Sequence, residues 1–162
     1  MQKDIDIIIY GATGFTGQLC VKYFQSLNTD VNWAIAGRDQ DKLQKVASDN
    51  SVDVEMLIAD SDDGVALDIL TARAKVILST TGPFHRYGSK LVASCVKNSA
   101  NYVDITGENF WVKGLIAKHH EEASAKGIRI IPSCGYDSIP SDLGVFYSAK
   151  VLNKPIKRIE SF

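Results

Sequence analysis

The sequence is poor in cysteine and has no long hydrophobic run. Its three cysteines, Cys20, Cys95 and Cys134, are odd in number and far apart, which indicates neither a disulfide framework nor a Cys-x-x-Cys zinc site. We interpret them as thiols in or near the core of a cytoplasmic protein. The apolar run at residues 7–10 is too short for the core of a signal peptide. No run approaches the roughly 20 residues that span a bilayer, so we expect no membrane segment.

An excess of charge of either sign is also lacking. The 18 Lys and Arg residues balance the 19 Asp and Glu residues to a net charge of −1. Such a chain has no broad electrostatic attraction to nucleic acid or to anionic membranes, so neither partner is expected. With 162 residues, 45% of them hydrophobic and 23% charged, the sequence predicts a single globular domain.

Short β-branched runs alternate with longer segments of helical periodicity. The predicted strands cover residues 5–10, 33–36, 54–59, 76–79, 102–105 and 128–131. The predicted helices cover residues 14–27, 39–48, 62–72, 84–98 and 108–126, and a last helix runs from Pro140 to about residue 150. Asp39 and Ser61 are the expected N-terminal caps of the second and third helices, and Gly127 is expected to end the fifth. The strands are mostly continuous apolar runs, which is typical of a parallel sheet covered on both faces. Repeated βαβ units predict an α/β fold, a three-layer, doubly wound parallel sheet of the NAD(P)-binding Rossmann type.

Residues 156–162 alternate between apolar and polar side chains, a pattern that predicts a strand. No partner strand follows them. We therefore expect residues 1–150 to form a dinucleotide-binding domain. Residues 151–162 would begin a second domain, for substrate binding or dimerisation, that lies outside this sequence.

A glycine turn follows the first predicted strand directly. Gly11 would permit the sharp turn, Gly14 would let the backbone approach a pyrophosphate, and Gly17 would let the helix pack on the strand. The free amides of the helix start would point at phosphate oxygens. The expected cofactor-binding residues of the turn are Gly11, Thr13, Gly14, Phe15, Thr16 and Gly17. The spacing is one residue wider than GxGxxG, and the alternative is a glycine-rich turn that binds nothing.

The end of the second predicted strand bears on which dinucleotide is bound. An NAD site would place an acidic residue there to accept hydrogen bonds from the ribose hydroxyls. This sequence has Gly37, which leaves room for a 2′-phosphate, and Arg38, which can pair with one. Asp39 could face the ribose instead, but we favour its role as a helix cap. We therefore expect NADP(H), with NAD(H) the less favoured cofactor.

Two further strand ends contribute candidates for cofactor binding. Asp60 follows the third strand, where it would either border the adenine or remain a solvated loop residue. After the fourth strand, small and hydroxylated residues would let the nicotinamide half pass close to the backbone: Thr80, Thr81, Gly82 and Pro83. The alternative for Gly82 and Pro83 is a turn with proline at the first helical position.

Catalytic residues are not assigned. Tyr87 and Tyr147 are each followed by a lysine one residue too early for a Tyr-x-x-x-Lys pair. We expect His119 and His120 to be solvated and His85 to be a surface helix residue. Residues 106–108 and 135–138 lie at strand ends, where they would border the nicotinamide and the substrate.

The succession of motifs resembles the N-terminal domain of the saccharopine dehydrogenase-like oxidoreductases, in the branch that includes trans-acting enoyl reductases. The motifs lie at residues 10–17, 36–38, 82–88, 102–108 and 135–142. The resemblance implies a nicotinamide-dependent oxidoreductase in which a substrate and dimerisation domain follows the Rossmann domain, and it is compatible with a homodimer.

The leading hypothesis is an NADP(H)-binding domain that orients the cofactor for hydride transfer to or from an unidentified small molecule, with this segment alone inactive. A non-catalytic NADP(H)-sensing domain is the alternative, because no acid–base pair stands out. A flavoprotein is less favoured, since an FAD site would prefer an acidic residue at the position of Arg38.

Overall fold

Strands and helices alternate along the whole chain. The computed structural model describes residues 3–27, 29–152 and 154–160. The strands are β1 (Ile5–Tyr10), β2 (Trp33–Gly37), β3 (Glu55–Ile58), β4 (Ala74–Ser79), β5 (Asn101–Asp104) and β6 (Ile130–Ile131). The helices are α1 (Phe15–Ser26), α2 (Gln40–Asp49), α3 (Gly64–Arg73), α4 (Phe84–Lys97), α5 (Asn109–Ala125) and α6 (Ile139–Leu152).

The six strands form one parallel sheet in the order β3-β2-β1-β4-β5-β6. The chain reverses its direction of winding at β1, which pairs with β2 on one side and with β4 on the other. Successive strand residues face opposite sides of a sheet. Accordingly Ile9 packs with the residues of α1 and α2, whereas Ile8 packs with those of α3, α4 and α5. The predicted three-layer, doubly wound fold is confirmed.

The helix ends are mostly as predicted. The Asp39 carboxylate accepts a hydrogen bond from the Lys42 amide and caps α2, and Gly127, with a φ of +65°, follows the end of α5. The cap predicted at Ser61 is wrong, because α3 begins two residues later than expected and Asp63 accepts the amides of its first turn. Pro140 is the second residue of α6 rather than its first.

His119 is buried, which corrects the prediction that it is solvated. It lies on the face of α5 that packs against the sheet, in line with Trp111, Leu115 and Ala123 at four-residue intervals. Burial lowers the pKa of His119, because the charged ring would lose its hydration. Its neighbour His120 is exposed, as predicted.

The C-terminal region differs from its prediction. Residues 156–160 have no strand structure, and residues 161–162 lie outside the described part of the chain. An alternating pattern forms a strand only when a neighbouring strand pairs with it, and no such pairing is present for residues 154–160.

The preceding helix α6 buries none of its residues. Its exposed apolar side chains include Leu143, Phe146, Tyr147, Val151 and Leu152.

Within the described residues, the longest helix spans 17 residues, and none has the length and apolarity needed to cross a bilayer.

Candidate dinucleotide site

A cleft of about 400 Å³ opens at the carboxyl ends of the central strands, where the winding of the sheet reverses. Open parallel sheets bind their ligands at this position. The predicted residues that line it are Gly11, Thr13, Gly14, Arg38, Thr80, Thr81, Gly82 and Pro83. Of the other four, Phe15, Thr16 and Gly17 lie in the first turn of α1 and Asp60 in a loop, and none of them lines the cleft. Gly37 lines it as well, together with three residues that the sequence did not single out for it: Tyr10, Ser61 and Tyr87.

The turn after β1 is built so that only glycine fits at its first position. Gly11 has a φ of +88°, and a Cβ atom there would lie 2.3 Å from the Oγ1 atom of Thr81. It would also lie 2.9 Å from the Oγ1 atom of Thr80, which itself contacts the carbonyl oxygens of Tyr10 and Gly11. The glycine turn and the end of β4 therefore pack closely against each other at the floor of the cleft.

Gly17 supports the turn from behind rather than lining the cleft. A Cβ atom at this position would lie 2.2 Å from the carbonyl oxygen of Gly11 and 2.7 Å from the Cα atom of Ala12. The close packing of α1 on β1 that the sequence predicted for Gly17 is confirmed. No such crowding applies at Gly14, where the nearest atom would be 3.4 Å away. Packing within the protein therefore gives no strong reason for glycine at that position.

The amino end of α1 faces the cleft without a side-chain cap. Its N-cap residue is Gly14, and its first turn carries no acidic residue. The first intrahelical hydrogen bond is donated by the Gln18 amide to the Gly14 carbonyl oxygen, so the amides of the first turn have no acceptor within the helix. Carboxylates occupy the corresponding positions of α2 and α3. The positive end of the α1 dipole is therefore left for an anion.

Arg38 lies at the rim of the cleft on the β2 side. Its side chain is exposed and has neither an ion pair nor a hydrogen bond to any residue that the structure describes. Asp39 is engaged in capping α2 and lies 3.3 Å from the Lys42 ammonium group, so the capping alternative is the one observed. A Cβ atom at Gly37 would meet its neighbours at ordinary distances, the nearest being 3.6 Å. The absence of a side chain there leaves space beside Arg38.

Asp60 takes part in a local turn. One of its carboxylate oxygens accepts a hydrogen bond of 2.8 Å from the Asp62 amide, and its neighbour Ser61 lines the cleft in its place. This geometry favours the loop alternative over a position at the rim of the adenine site.

The cleft fits a dinucleotide in three ways that do not depend on one another. The α1 amides suit a pyrophosphate, the guanidinium of Arg38, which has no ion pair among the described residues, suits a second phosphate, and small residues leave space between them. In addition, the Oγ1 atom of Thr81, a residue that lines the cleft, is buried without a hydrogen-bond partner in the described part of the chain. Buried hydroxyls normally have partners, so this group marks the end of β4 as incomplete on its own.

The start of α4 differs from the predicted turn. Pro83 is the N-cap residue, not the first helical residue, and it is joined to Gly82 by a cis peptide bond. Because proline has no capping side chain, Glu108 supplies the cap from the loop after β5. Its two carboxylate oxygens accept hydrogen bonds of 2.8 Å from the backbone amides of Phe84 and His85.

The same carboxylate holds the His85 ring, whose Nδ1 atom lies 2.6 Å from the Oε2 atom of Glu108. Partial desolvation opposes ionisation of Glu108, but the hydrogen bonds from His85 and Phe84 outweigh it and hold the pKa of Glu108 below its usual value. His85 is a surface helix residue, as predicted, but the contact with Glu108 fixes the position of its ring. The separation of 23 residues between the partners gives no local signal of the contact.

Asp104 organises the strand ends beyond α4. Its buried carboxylate accepts hydrogen bonds from the Tyr102 hydroxyl at 2.8 Å, the Thr106 amide at 3.0 Å and the Ser133 amide at 2.9 Å. Its backbone carbonyl oxygen accepts another from the Cys134 amide. Asp104 therefore connects the segment 106–108 to the loop after β6 through hydrogen bonds. Asp104 was not among the predicted site residues, although a carboxylate at the end of an apolar strand indicates a functional or structural role.

Residues 7–131 match the family described as "Saccharopine dehydrogenase NADP binding domain". The chain belongs to this family. The predicted resemblance and the choice of NADP(H) as the cofactor are thereby confirmed.

Relatives of this saccharopine dehydrogenase NADP-binding domain are oxidoreductases. It is 40% identical over 148 residues to a trans-acting enoyl reductase of Mycobacterium tuberculosis, covering 90% of this chain and 35% of the relative. It is 35% identical over 176 residues to a saccharopine dehydrogenase-like oxidoreductase of Mus musculus, covering 99% of this chain and 41% of the relative. The chain thus spans well under half the length of these relatives.

Among solved structures, the domain resembles the apo saccharopine dehydrogenase (L-Glu forming) of Saccharomyces cerevisiae. The TM-score is 0.69 at 20% sequence identity, covering 92% of this chain and 31% of the yeast protein. At this identity the likeness concerns the fold alone, and the Rossmann-type sheet is the part that the two share.

Proposed function

We propose that this domain binds NADP(H) in the cleft beside β1 and orients the nicotinamide for hydride transfer to or from a small-molecule substrate of a larger oxidoreductase. The observation that carries the proposal is that the amino end of α1 and the guanidinium of Arg38 share one cleft, and that no described residue caps the first or pairs with the second. When bound, the cofactor supplies the hydride chemistry, and the protein supplies binding and orientation.

The pyrophosphate would lie at the glycine turn. The first-turn amides of α1, around Phe15 and Thr16, would donate hydrogen bonds to its oxygens. Gly14 would let the backbone approach the pyrophosphate closely, because glycine has no side chain. Packing within the protein does not account for glycine at this position, since a Cβ atom there would lie 3.4 Å from its nearest neighbour. Thr13 lines the cleft in the same turn.

The adenosine 2′-phosphate would lie against Arg38. The guanidinium forms no ion pair within the described residues, so binding a phosphate breaks no existing contact. Gly37 leaves space for it, and the carboxylate of Asp39 is held at the α2 cap. These features support a preference for NADP(H) over NAD(H).

The nicotinamide half would extend along the end of β4, over Thr80, Thr81, Gly82 and Pro83. The unpartnered Thr81 hydroxyl lies at the point where the glycine turn and β4 meet. Similarity to oxidoreductases favours this enzyme function over a non-catalytic sensing domain.

Titration of the protein with NADPH and with NADH, followed by calorimetry, tests the proposal. Arg38→Ala should weaken NADPH binding about 10- to 100-fold, because a charged hydrogen-bonded pair contributes roughly 1.5–3 kcal/mol, and should leave NADH binding nearly unchanged. Arg129→Ala is the matched control, since Arg129 is exposed beside β6 and outside the cleft. Equal affinity for the two cofactors, insensitive to Arg38→Ala, would overturn the assignment of Arg38.

We also propose that residues 151–162 begin a second domain and that the present chain alone has no oxidoreductase activity. The proposal is supported by the greater length of the relatives and by the exposed apolar side chains of α6. Several exposed apolar side chains on one helix are usually covered by another part of a protein.

A further inference from the structure

The pair formed by His85 and Glu108 lies on the side of β1 away from Arg38. Both residues follow carboxyl ends of strands, His85 in the first turn after β4 and Glu108 in the loop after β5. Arg38 follows β2, on the other side of β1 in the sheet order. A dinucleotide that lies across this edge with its adenosine at β2 directs its nicotinamide toward β4 and β5. Neither residue lines the cleft itself, but His85 follows closely on Gly82 and Pro83, which do. The order of the strands therefore places the pair next to the proposed nicotinamide half of the cleft.

The His85 ring is fixed on one side and open on the other. Its Nδ1 atom bonds to Glu108, and the ring of Phe110 packs against it with a centroid distance of 5.5 Å. About half of the side chain is exposed, at 51%. No residue in the described ranges makes a hydrogen bond to its Nε2 atom. The ring is therefore oriented by the protein while one nitrogen stays available.

Capping α4 does not require this ring. The two backbone amides of Phe84 and His85 already occupy both oxygens of Glu108, and a carboxylate at a helix start is favourable without further partners. The carboxylate fixes the tautomer of the neutral ring, with hydrogen on Nδ1. The Nε2 atom of the neutral ring can then accept a proton, and that of the imidazolium can donate one.

We propose that His85, oriented by Glu108, exchanges a proton with the substrate beside the nicotinamide, an inference that rests on the proposed function. The substrate class is a polarised double bond: C=O, C=N or an enoyl C=C conjugated to a carbonyl. In reduction, the carbon gains the hydride that NADPH supplies, and the π electron pair moves to the far atom. That atom takes the proton from Nε2, so new bonds to hydrogen form at both atoms. His85 is left as neutral imidazole with its Nδ1 hydrogen bonded to Glu108, and oxidation reverses the step.

The test uses the charge of the nicotinamide ring, which is positive in NADP⁺ and neutral in NADPH. With ¹⁵N-labelled histidine, the imidazole resonances of His85, His119 and His120 are recorded by NMR in the two saturated complexes and assigned with His85→Gln and His120→Gln variants. The field of a charge falls with distance, so the change of charge alters the nitrogen chemical shifts only of an imidazole that lies near the nicotinamide.

We expect the ring nitrogens of His85 to differ in chemical shift between the NADP⁺ and NADPH complexes. Exposed His120 should show almost no difference, and 2′-phospho-ADP-ribose, which lacks nicotinamide, should leave the His85 resonances close to their positions in the free protein. Identical His85 shifts in the two saturated complexes would overturn the inference while leaving cofactor binding intact. Failure of every nucleotide to bind, seen by ³¹P NMR, would instead overturn the proposed function and this inference with it.

The positioning role of Glu108 has a separate readout. The ¹⁵N shifts of neutral His85 should report hydrogen on Nδ1 in the natural protein, and Glu108→Gln should move the ring toward the tautomer with hydrogen on Nε2. A capping role alone would not require this change. Predominance of the Nε2 tautomer before any substitution would refute the assignment of Glu108.

Discussion

Replacing Asp104 should cost much of the stability of the domain, and the cost should depend on what replaces it. Alanine would leave three donors without their acceptor: the hydroxyl of buried Tyr102, the amide of buried Thr106 and the amide of half-buried Ser133. A buried donor without a partner costs about 1–3 kcal/mol, and water can reach Ser133. We therefore expect Asp104→Ala to lower the free energy of unfolding by about 3–5 kcal/mol.

Asparagine should be tolerated far better. Its amide oxygen would still accept the Thr106 and Ser133 amides, and its NH₂ group would donate to the Tyr102 hydroxyl, so the loss should be about 1 kcal/mol or less. Urea denaturation followed by circular dichroism measures both variants, provided that the m-value stays constant. Asp104→Ala and Asp104→Asn of equal stability at pH 7 would refute the hydrogen-bond argument.

The comparison with asparagine should also depend on pH. Burial raises the pKa of Asp104 above its usual 3.8, even though hydrogen bonds from Thr106, Ser133 and Tyr102 oppose the shift. Because the folded state then binds the proton more tightly than the unfolded chain, the contribution is fully present below the unfolded pKa and is lost as the pH rises through the folded pKa. The natural protein should therefore gain stability relative to Asp104→Asn as the pH falls through this window. A difference that is constant with pH would contradict the raised pKa.

Two further predictions concern packing. Gly88→Ala should lower the free energy of unfolding by about 1–3 kcal/mol, because its Cβ atom would lie 2.7 Å from the Trp111 ring. The matched control, Gly114→Ala on open helix surface, should raise it by about 0.5–1 kcal/mol, and equal effects in thermal melts would argue against the Trp111 contact. If the apolar side chains of α6 are uncovered in this chain, Phe146→Ser should reduce the binding of the dye ANS without lowering the melting temperature, since Phe146 is 65% exposed. Unchanged dye binding would count against the proposed covering domain.

The sequence predicts best the features that depend on neighbours in the chain. Continuous apolar runs identified all six strands, and Gly17 was expected to permit the close packing that the structure shows. The cap of α3 predicted at Ser61 was wrong because the helix begins two residues later than expected, after Asp63, whose side chain also suits a cap.

Features that depend on distant contacts were not predictable in the same way. The burial of His119 follows from the face on which α5 docks, and the four-residue spacing from Trp111 to Ala123 would have revealed it. The cap of α4 comes from Glu108, more than 20 residues away, so no rule on local sequence finds it. The alternation at residues 156–160 resembled a strand because the pattern describes side chains and says nothing of a pairing partner.

The two sides of the cleft are supported by different kinds of contact. On the side proposed for the adenosine, Arg38 is exposed and unpaired among the described residues, so it can adjust to a phosphate. On the other side, a hydrogen-bonded chain leads outward from the core: Asp104 accepts from the Thr106 amide, the Thr106 hydroxyl accepts from the Glu108 amide, and Glu108 holds His85. A flexible cation suits recognition of a charge, whereas a fixed ring suits a proton transfer that depends on position. This difference in rigidity supports the two proposed roles, cofactor binding for Arg38 and proton transfer for His85.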